Sequence, residues 1–184
     1  MRDPKVLGAE ISLCALALVL AGESARGGRQ YRRPDAGIAL FEIPRGWEAR
    51  PASQIAYPNL LLIADGPDGS RLVLGSQRIA PGTTALHLAA EARGALPRQG
   101  FREPRITPLD PGASGEDRCR LDSSRDGGRK TMRQVYVTIR SVGIVVTVIS
   151  PTGRQARAFR DLESATGSLV PVLFLEEAPD AGVP

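Results

Sequence analysis

The chain is poor in lysine, histidine, cysteine and aromatic residues, and each scarcity removes a class of function. Of its 24 basic residues only Lys5 and Lys130 are lysine; histidine occurs once, cysteine twice, and aromatic residues fill 4% of the 184 positions. Two cysteines exclude a disulfide-rich scaffold. A single histidine, with no second His and no Cys pair at ligand spacing, leaves the usual zinc arrangements short of donors. No uninterrupted apolar run approaches the roughly 20 residues a spanning helix needs, so a multi-span membrane protein is excluded. There is no Gly-x-Ser-x-Gly segment to make a nucleophile elbow and no glycine loop with a lysine to cradle phosphate. What is present, 42% hydrophobic and 24% charged residues with 20 Gly and 15 Pro, suits one globular domain with clustered apolar segments.

At the amino terminus, Arg2 and Lys5 precede an apolar stretch from Ile11 to Ala21. That is the length of a signal-peptide h-region and too short to cross a bilayer. Small residues offer cleavage after Ala21 or after Ser24, while Asp3 and Glu10 depart from the usual pattern. Residues 1–25 therefore read as a signal peptide, and the protein as exported, periplasmic or extracellular. Leu20-Ala21-Gly22 is what a lipoprotein signal shows before its cysteine, but Glu23 follows and has no thiol to lipidate. Removal of residues 1–25 leaves 22 basic against 17 acidic residues, so +4 becomes +5, and Cys119 becomes the sole cysteine. With no internal partner, Cys119 is either buried or pairs with another molecule. Residues 26–36 follow as a flexible Arg-rich linker, with Arg26, Arg29, Arg32 and Arg33 and no apolar periodicity. The linker offers a peripheral contact with an anionic membrane, although a solvated leader is the plainer reading.

Residues 37–170 carry the folded pattern. Ile38, Leu40 and the stretch Phe41 to Ile43 predict a strand ended by Pro44 and Gly46. Leu60 to Ala64 and Leu72 to Ile79 flank Asp65-Gly66-Pro67-Asp68-Gly69 and predict a hairpin. Pro81-Gly82-Thr83 opens a helix capped by Thr83 or Thr84, with Leu86, Ala89, Ala90 and Leu96 as its apolar face. A short strand around Ile106, cut by Pro104 and Pro108, precedes extended segments at Arg118 to Leu121 and Lys130 to Ile139, joined through Asp126-Gly127-Gly128. Val135, Val137 and Ile139 alternate with Tyr136, Thr138 and Arg140, which predicts one buried and one partly solvated face. Ile144 to Ile149 is apolar on both faces and belongs in the middle of a sheet. A second helix from Arg154 to Leu169 places Ala156, Phe159, Leu162, Thr166 and Leu169 on one side. Residues 171–184 form a C-terminal tail. The order predicts an α+β fold, a mostly antiparallel sheet covered by two helices.

Phe41-Glu42-Ile43-Pro44-Arg45-Gly46-Trp47 resembles the F-x-I-P-x-G-W opening of the PsbP-like, or Mog and DcrB-like, superfamily, and Val145-Val146-Thr147-Val148 through Asp161-Leu162 and Ser168-Leu169 resembles its closing strand and helix. The resemblance implies an α/β/α sandwich over about Gly37 to Leu169. It implies no metal, cofactor or partner residue, because those motifs are structural. The superfamily includes extrinsic photosystem II subunits, a Ran-binding nuclear protein and many exported bacterial proteins.

Few residues offer chemistry. His87 and Glu91 stand one helical turn apart and could act as an acid/base pair or two metal ligands, or simply as a surface ion pair. Asp65 to Ser70 lacks the spaced carboxylates and closing Glu of a calcium loop and reads as a turn. Arg118, Arg120, Arg125, Arg129, Lys130 and Arg133 cluster, but Glu116, Asp117, Asp122 and Asp126 lie among them and stacking aromatics are missing, which excludes a nucleic-acid stripe. No catalytic, cofactor-binding or metal-ligating residue is assigned. The reading is an exported, non-enzymatic accessory or protein-binding module of the cell envelope that needs no cofactor and meets a protein partner. The alternatives are an envelope hydrolase or metal-dependent enzyme using His87 and Glu91, or an anionic-surface binder.

Overall fold

A strand with no polar face has to be covered on both sides, and the run beginning at Val142 is placed accordingly. The computed structural model describes residues 30–50 and 59–171. In chain order it contains β1 (Gln30–Arg33), β2 (Ile38–Glu42), β3 (Glu48–Ala49), β4 (Leu60–Asp65), β5 (Arg71–Arg78), α1 (Ala85–Ala95), β6 (Phe101–Pro108), β7 (Asp117–Arg125), β8 (Lys130–Ile139), β9 (Val142–Pro151), α2 (Gln155–Gly167) and β10 (Val170–Pro171). A seven-stranded antiparallel sheet runs β3-β4-β5-β9-β8-β7-β6, so β9 is its central strand. A smaller antiparallel sheet runs β1-β2-β10.

Period-2 alternation divides the interior into two cores. Val135 and Val137 of β8, with Val146 and Val148 of β9, join Ala158, Leu162 and Ala165 of α2 and Ile38 and Phe41 of β2. Met132 and Tyr136, with Val145, face the other way and meet Ala85, Leu88, Ala89 and Ala92 of α1. The layers are thus α2 with the small sheet, the large sheet, then α1, the expected α/β/α sandwich. Among the described residues no helix is long and apolar enough to cross a membrane.

Several local expectations are corrected. The linker predicted over residues 26–36 is structured from Gln30 onward: β1 pairs with β2, and the Tyr31 hydroxyl donates to the Leu61 carbonyl at 2.7 Å. Backbone pairing and one anchoring tyrosine hold this polar strand, so no apolar period announces it. The folded part of the chain accordingly includes Gln30 to Ala36 as well as the residues from Gly37. Pro171, predicted as the first residue of the tail, instead pairs with Ile38 in β10; the signal peptide of residues 1–25, residues 26–29 of the linker and residues 172–184 of the tail lie outside the described residues.

On α1 the buried face is Ala85, Leu88, Ala89 and Ala92, while Leu86 is 49% exposed and Ala90 faces solvent. Thr84 caps the helix by accepting from the His87 N–H at 3.1 Å, and Asp117 of β7 accepts from the Ala85 N–H at 2.7 Å. That second bond ties the first turn to the sheet and sets the helix rotation. Gly143 permits the close approach, because a Cβ there would sit 3.0 Å from both Leu88 Cδ1 and Ile79 Cγ2. Val135 to Thr138 are all buried, so β8 is covered on both faces, one by α1 and the other by α2. On α2, Ala158 and Ala165 are buried and Ala156 is exposed. Phe159 is half-buried beneath the Arg133 guanidinium, 4.2 Å from its ring centroid. Finally, β6 runs eight residues straight through Pro104. Edge position and a bulge between Arg102 and Arg105 accommodate the proline that elsewhere would stop a strand.

Candidate functional site

His87 Nε2 lies 3.2 Å from Glu91 Oε1, and the two side chains are 62% and 61% exposed. They make a side-chain hydrogen bond on the outer surface of α1. Among the described residues no group of three His, Cys, Asp or Glu comes together. Cys119 is buried and free, and burial pushes its thiol pKa up.

The predicted hairpin turn at Asp65 is tied by charge. Arg50 reaches Asp65 Oδ2 at 2.6 Å and Arg71 reaches Oδ1 at 2.8 Å, so both carboxylate oxygens are bound to guanidinium groups. Burial pushes this carboxyl up, but the hydrogen bonds and charges of Arg50 and Arg71 outweigh it and hold the pKa below the ordinary value. Part of the interleaved charge of the β7–β8 hairpin is paired as well. Asp122 meets Arg120 at 3.0 Å and Arg133 at 2.7 Å, and Arg133 also reaches Glu163 of α2 at 2.9 Å. In the Arg-rich segment, Arg33 grips Asp35 through two hydrogen bonds, at 2.9 and 2.8 Å, that lower the Asp35 pKa.

The remaining polar concentration lines a cleft of about 370 Å³ at one end of the large sheet. Strand register builds it: Phe101 is opposite Arg125, Arg125 opposite Lys130, and Lys130 opposite Pro151 across β6, β7, β8 and β9. One strand further, Arg71 is opposite Ile149. The β4–β5 turn closes the far wall, where Ser70 donates to Ser150 Oγ at 2.9 Å, both residues being buried. The Arg125 guanidinium stands 5.5 Å from the Phe101 ring centroid. Its Nε is 3.5 Å from Asp126 Oδ1, and Lys130 Nζ is 3.6 Å from Asp126 Oδ2. The cleft combines fixed cations with an apolar floor. None of it was legible as a site in the sequence, because its residues come from four separate segments that only register aligns.

No protein-family model matches the sequence, and no curated protein matches it. Solved structures match in fold. Cyanobacterial PsbP from Synechocystis superposes with a TM-score of 0.58 at 15% identity, covering 83% of this chain and 99% of that one. LpqN of Mycobacterium tuberculosis, described as involved in cell envelope biogenesis, gives 0.55 at 16% identity over 72% of this chain and 82% of its own. A protein of unknown function from Pseudomonas aeruginosa gives 0.48 at 19% identity over 78% and 96%.

Proposed function

We propose that this chain, which has a PsbP-like fold, is an exported, non-enzymatic accessory module of the cell envelope that acts by binding. One observation carries the reading: the polar side chains of the cleft are guanidiniums, an ammonium, two serines hydrogen-bonded to each other, and the Asp65 carboxylate, both of whose oxygens are already held by guanidinium groups. Such groups hold a ligand. Proton transfer near neutral pH would call for a group like the single histidine, which is not among the residues lining the cleft. The signal-like start supports export, and the description of LpqN as an envelope-biogenesis protein agrees with the setting. Envelope partners would meet the outer surfaces of α1 or of the β1–β2–β10 sheet, which no other layer of the described residues covers.

Fractionation of the native host tests the reading. The expected result is a chain shortened at its amino terminus, found with periplasmic or secreted markers and crosslinked there to a protein partner. Full-length chain confined to the cytoplasm would overturn it.

A further inference from the structure

We infer that the cleft at the end of the large sheet is a binding site for a small amphipathic organic acid. Its carboxylate lies between Arg125 and Lys130, and its apolar body lies on Ile149 and Pro151. The inference rests on the reading of this chain as a binding module and names the ligand class of that module.

The first support is charge. The arginines that brace the large sheet hold their carboxylates tightly: Arg50 at 2.6 Å and Arg133 at 2.7 Å. Arg125 and Lys130 differ. Both point to the single carboxylate of Asp126, at 3.5 and 3.6 Å, beyond the roughly 2.7–3.2 Å of a made N–H···O bond. On the opposite wall Asp65 is shared between Arg50 and Arg71. Among the residues lining the cleft, the three cations Arg71, Arg125 and Lys130 face one carboxylate, Asp65, an excess of two positive charges around a concave surface, where low-dielectric walls strengthen attraction for an anion.

The second support is shape. A volume of about 370 Å³ is at the small end of the range for ligand sites, roughly 300–1,000 Å³. Apolar groups, Phe101, Ile149 and Pro151, share the lining with the cations. A fully hydrated inorganic anion gains nothing from that floor, whereas an acid with a hydrocarbon body buries it there. Stacking on Phe101 holds Arg125 in place before a ligand arrives, which reduces the ordering cost of binding.

Asp126, in the turn beside the cleft, competes with a ligand for both cations. It occupies a left-handed conformation at φ 56, which Asn tolerates well, so Asp126→Asn removes the charge without disturbing the turn.

The test titrates the full chain with 3-phenylpropionate, followed by amide NMR shifts. Inorganic phosphate and 3-phenylpropan-1-ol serve as the anion-only and apolar-only arms. The expected result is saturable binding of the acid, with shifts at the β4–β5 and β7–β8 turns and the alcohol weaker by roughly tenfold, the scale of losing one charged hydrogen bond. Lys130→Gln and Arg125→Gln should each weaken the acid by about the same factor. Asp126→Asn should tighten it several-fold, a change that a purely structural role for these residues would not produce. No saturable binding, equal binding of the alcohol or of phosphate, or an unchanged affinity in Asp126→Asn would each overturn the proposal. Should Arg125→Gln fail to fold, Lys130→Gln and Asp126→Asn still decide. An exported chain with an inert cleft would sink this inference and leave the envelope reading standing; a cytoplasmic chain that binds the acid would do the reverse.

Discussion

Trp47 donates its indole Nε1–H to Asp161 Oδ2 at 2.8 Å, joining the turn after β2 to the middle of α2 across 114 residues of sequence. The Trp side chain is buried, while Asp161 keeps about a quarter of its surface exposed. The bond therefore fastens α2 to the edge of the large sheet at the point where the small sheet departs.

Asp161→Ala strands the buried indole N–H, and a loss of about 1–3 kcal/mol is expected in urea unfolding. Asp161→Asn retains an acceptor and should lose less than half as much. Equal losses for both variants would show that the hydrogen bond is not what matters there.

Gly66 is the second contact of the same indole. A Cβ at Gly66 would stand 2.8 Å from three carbons of the Trp47 ring, although the backbone at φ −92 suits any residue. Gly66→Ala should thus destabilise by roughly 1–3 kcal/mol through overpacking alone. In a Trp47→Leu background the clash is relieved, and the same substitution should become neutral or stabilising by reducing unfolded-chain entropy. A double-mutant cycle with no coupling between the two positions would refute the contact.

Asp65 makes stability fall in acid. A carboxyl whose pKa is lower in the folded chain than in the unfolded one adds stability above the unfolded value, near 4, and that contribution disappears as pH falls through the folded value. Asp65→Asn should lower stability at pH 7 by roughly 1–3 kcal/mol, because buried Arg50 loses its partner. It should also flatten the decline below pH 4, measured by denaturant midpoints from pH 2 to 7. An unchanged acid limb would remove Asp65 from the account.

Cys119 should be chemically silent in the native chain. In a Cys14→Ser background at pH 7.5, maleimide labelling of the folded chain should be roughly a hundredfold or more slower than labelling in urea, because reaction needs the buried thiol to open. Its raised pKa gives a stability contribution that is complete below the unfolded value, near 8.5, and lost as pH rises through the folded one. Comparable labelling rates in both states would show an accessible thiol.

Local signals carried much of the fold. The hairpin at Asp65-Gly66-Pro67-Asp68-Gly69, the Thr84 cap and the central place of β9 all follow from residues within a few positions of one another. What failed was rotation and coverage. Leu86 reads as core by spacing, but the Ala85 N–H is held by Asp117, which lies 32 residues on, and the helix turns accordingly. Likewise β1 lacks apolar periodicity and exists because β2 is there to pair with it. His87 with Glu91 was visible as a pair because i and i+4 share a helix face; its exposure, which decides what the pair can do, is a property of the packed helix.

By itself the sequence determined the order of the main strands and of both helices and the scarcity of histidine and cysteine, since these depend on residue type and short-range period. Only the tertiary structure decided which charges satisfy one another and which do not. Arg120, Arg125, Lys130 and Arg133 look alike as a mixed-sign run. Antiparallel register sets Arg133 opposite Asp122 at 2.7 Å, and sets Arg125 opposite Lys130 so that both divide Asp126 of the turn at the rim of a cleft. Ion pairing depends on distances of a few ångströms between residues from different strands, and a linear chain does not contain those distances until its strands are aligned.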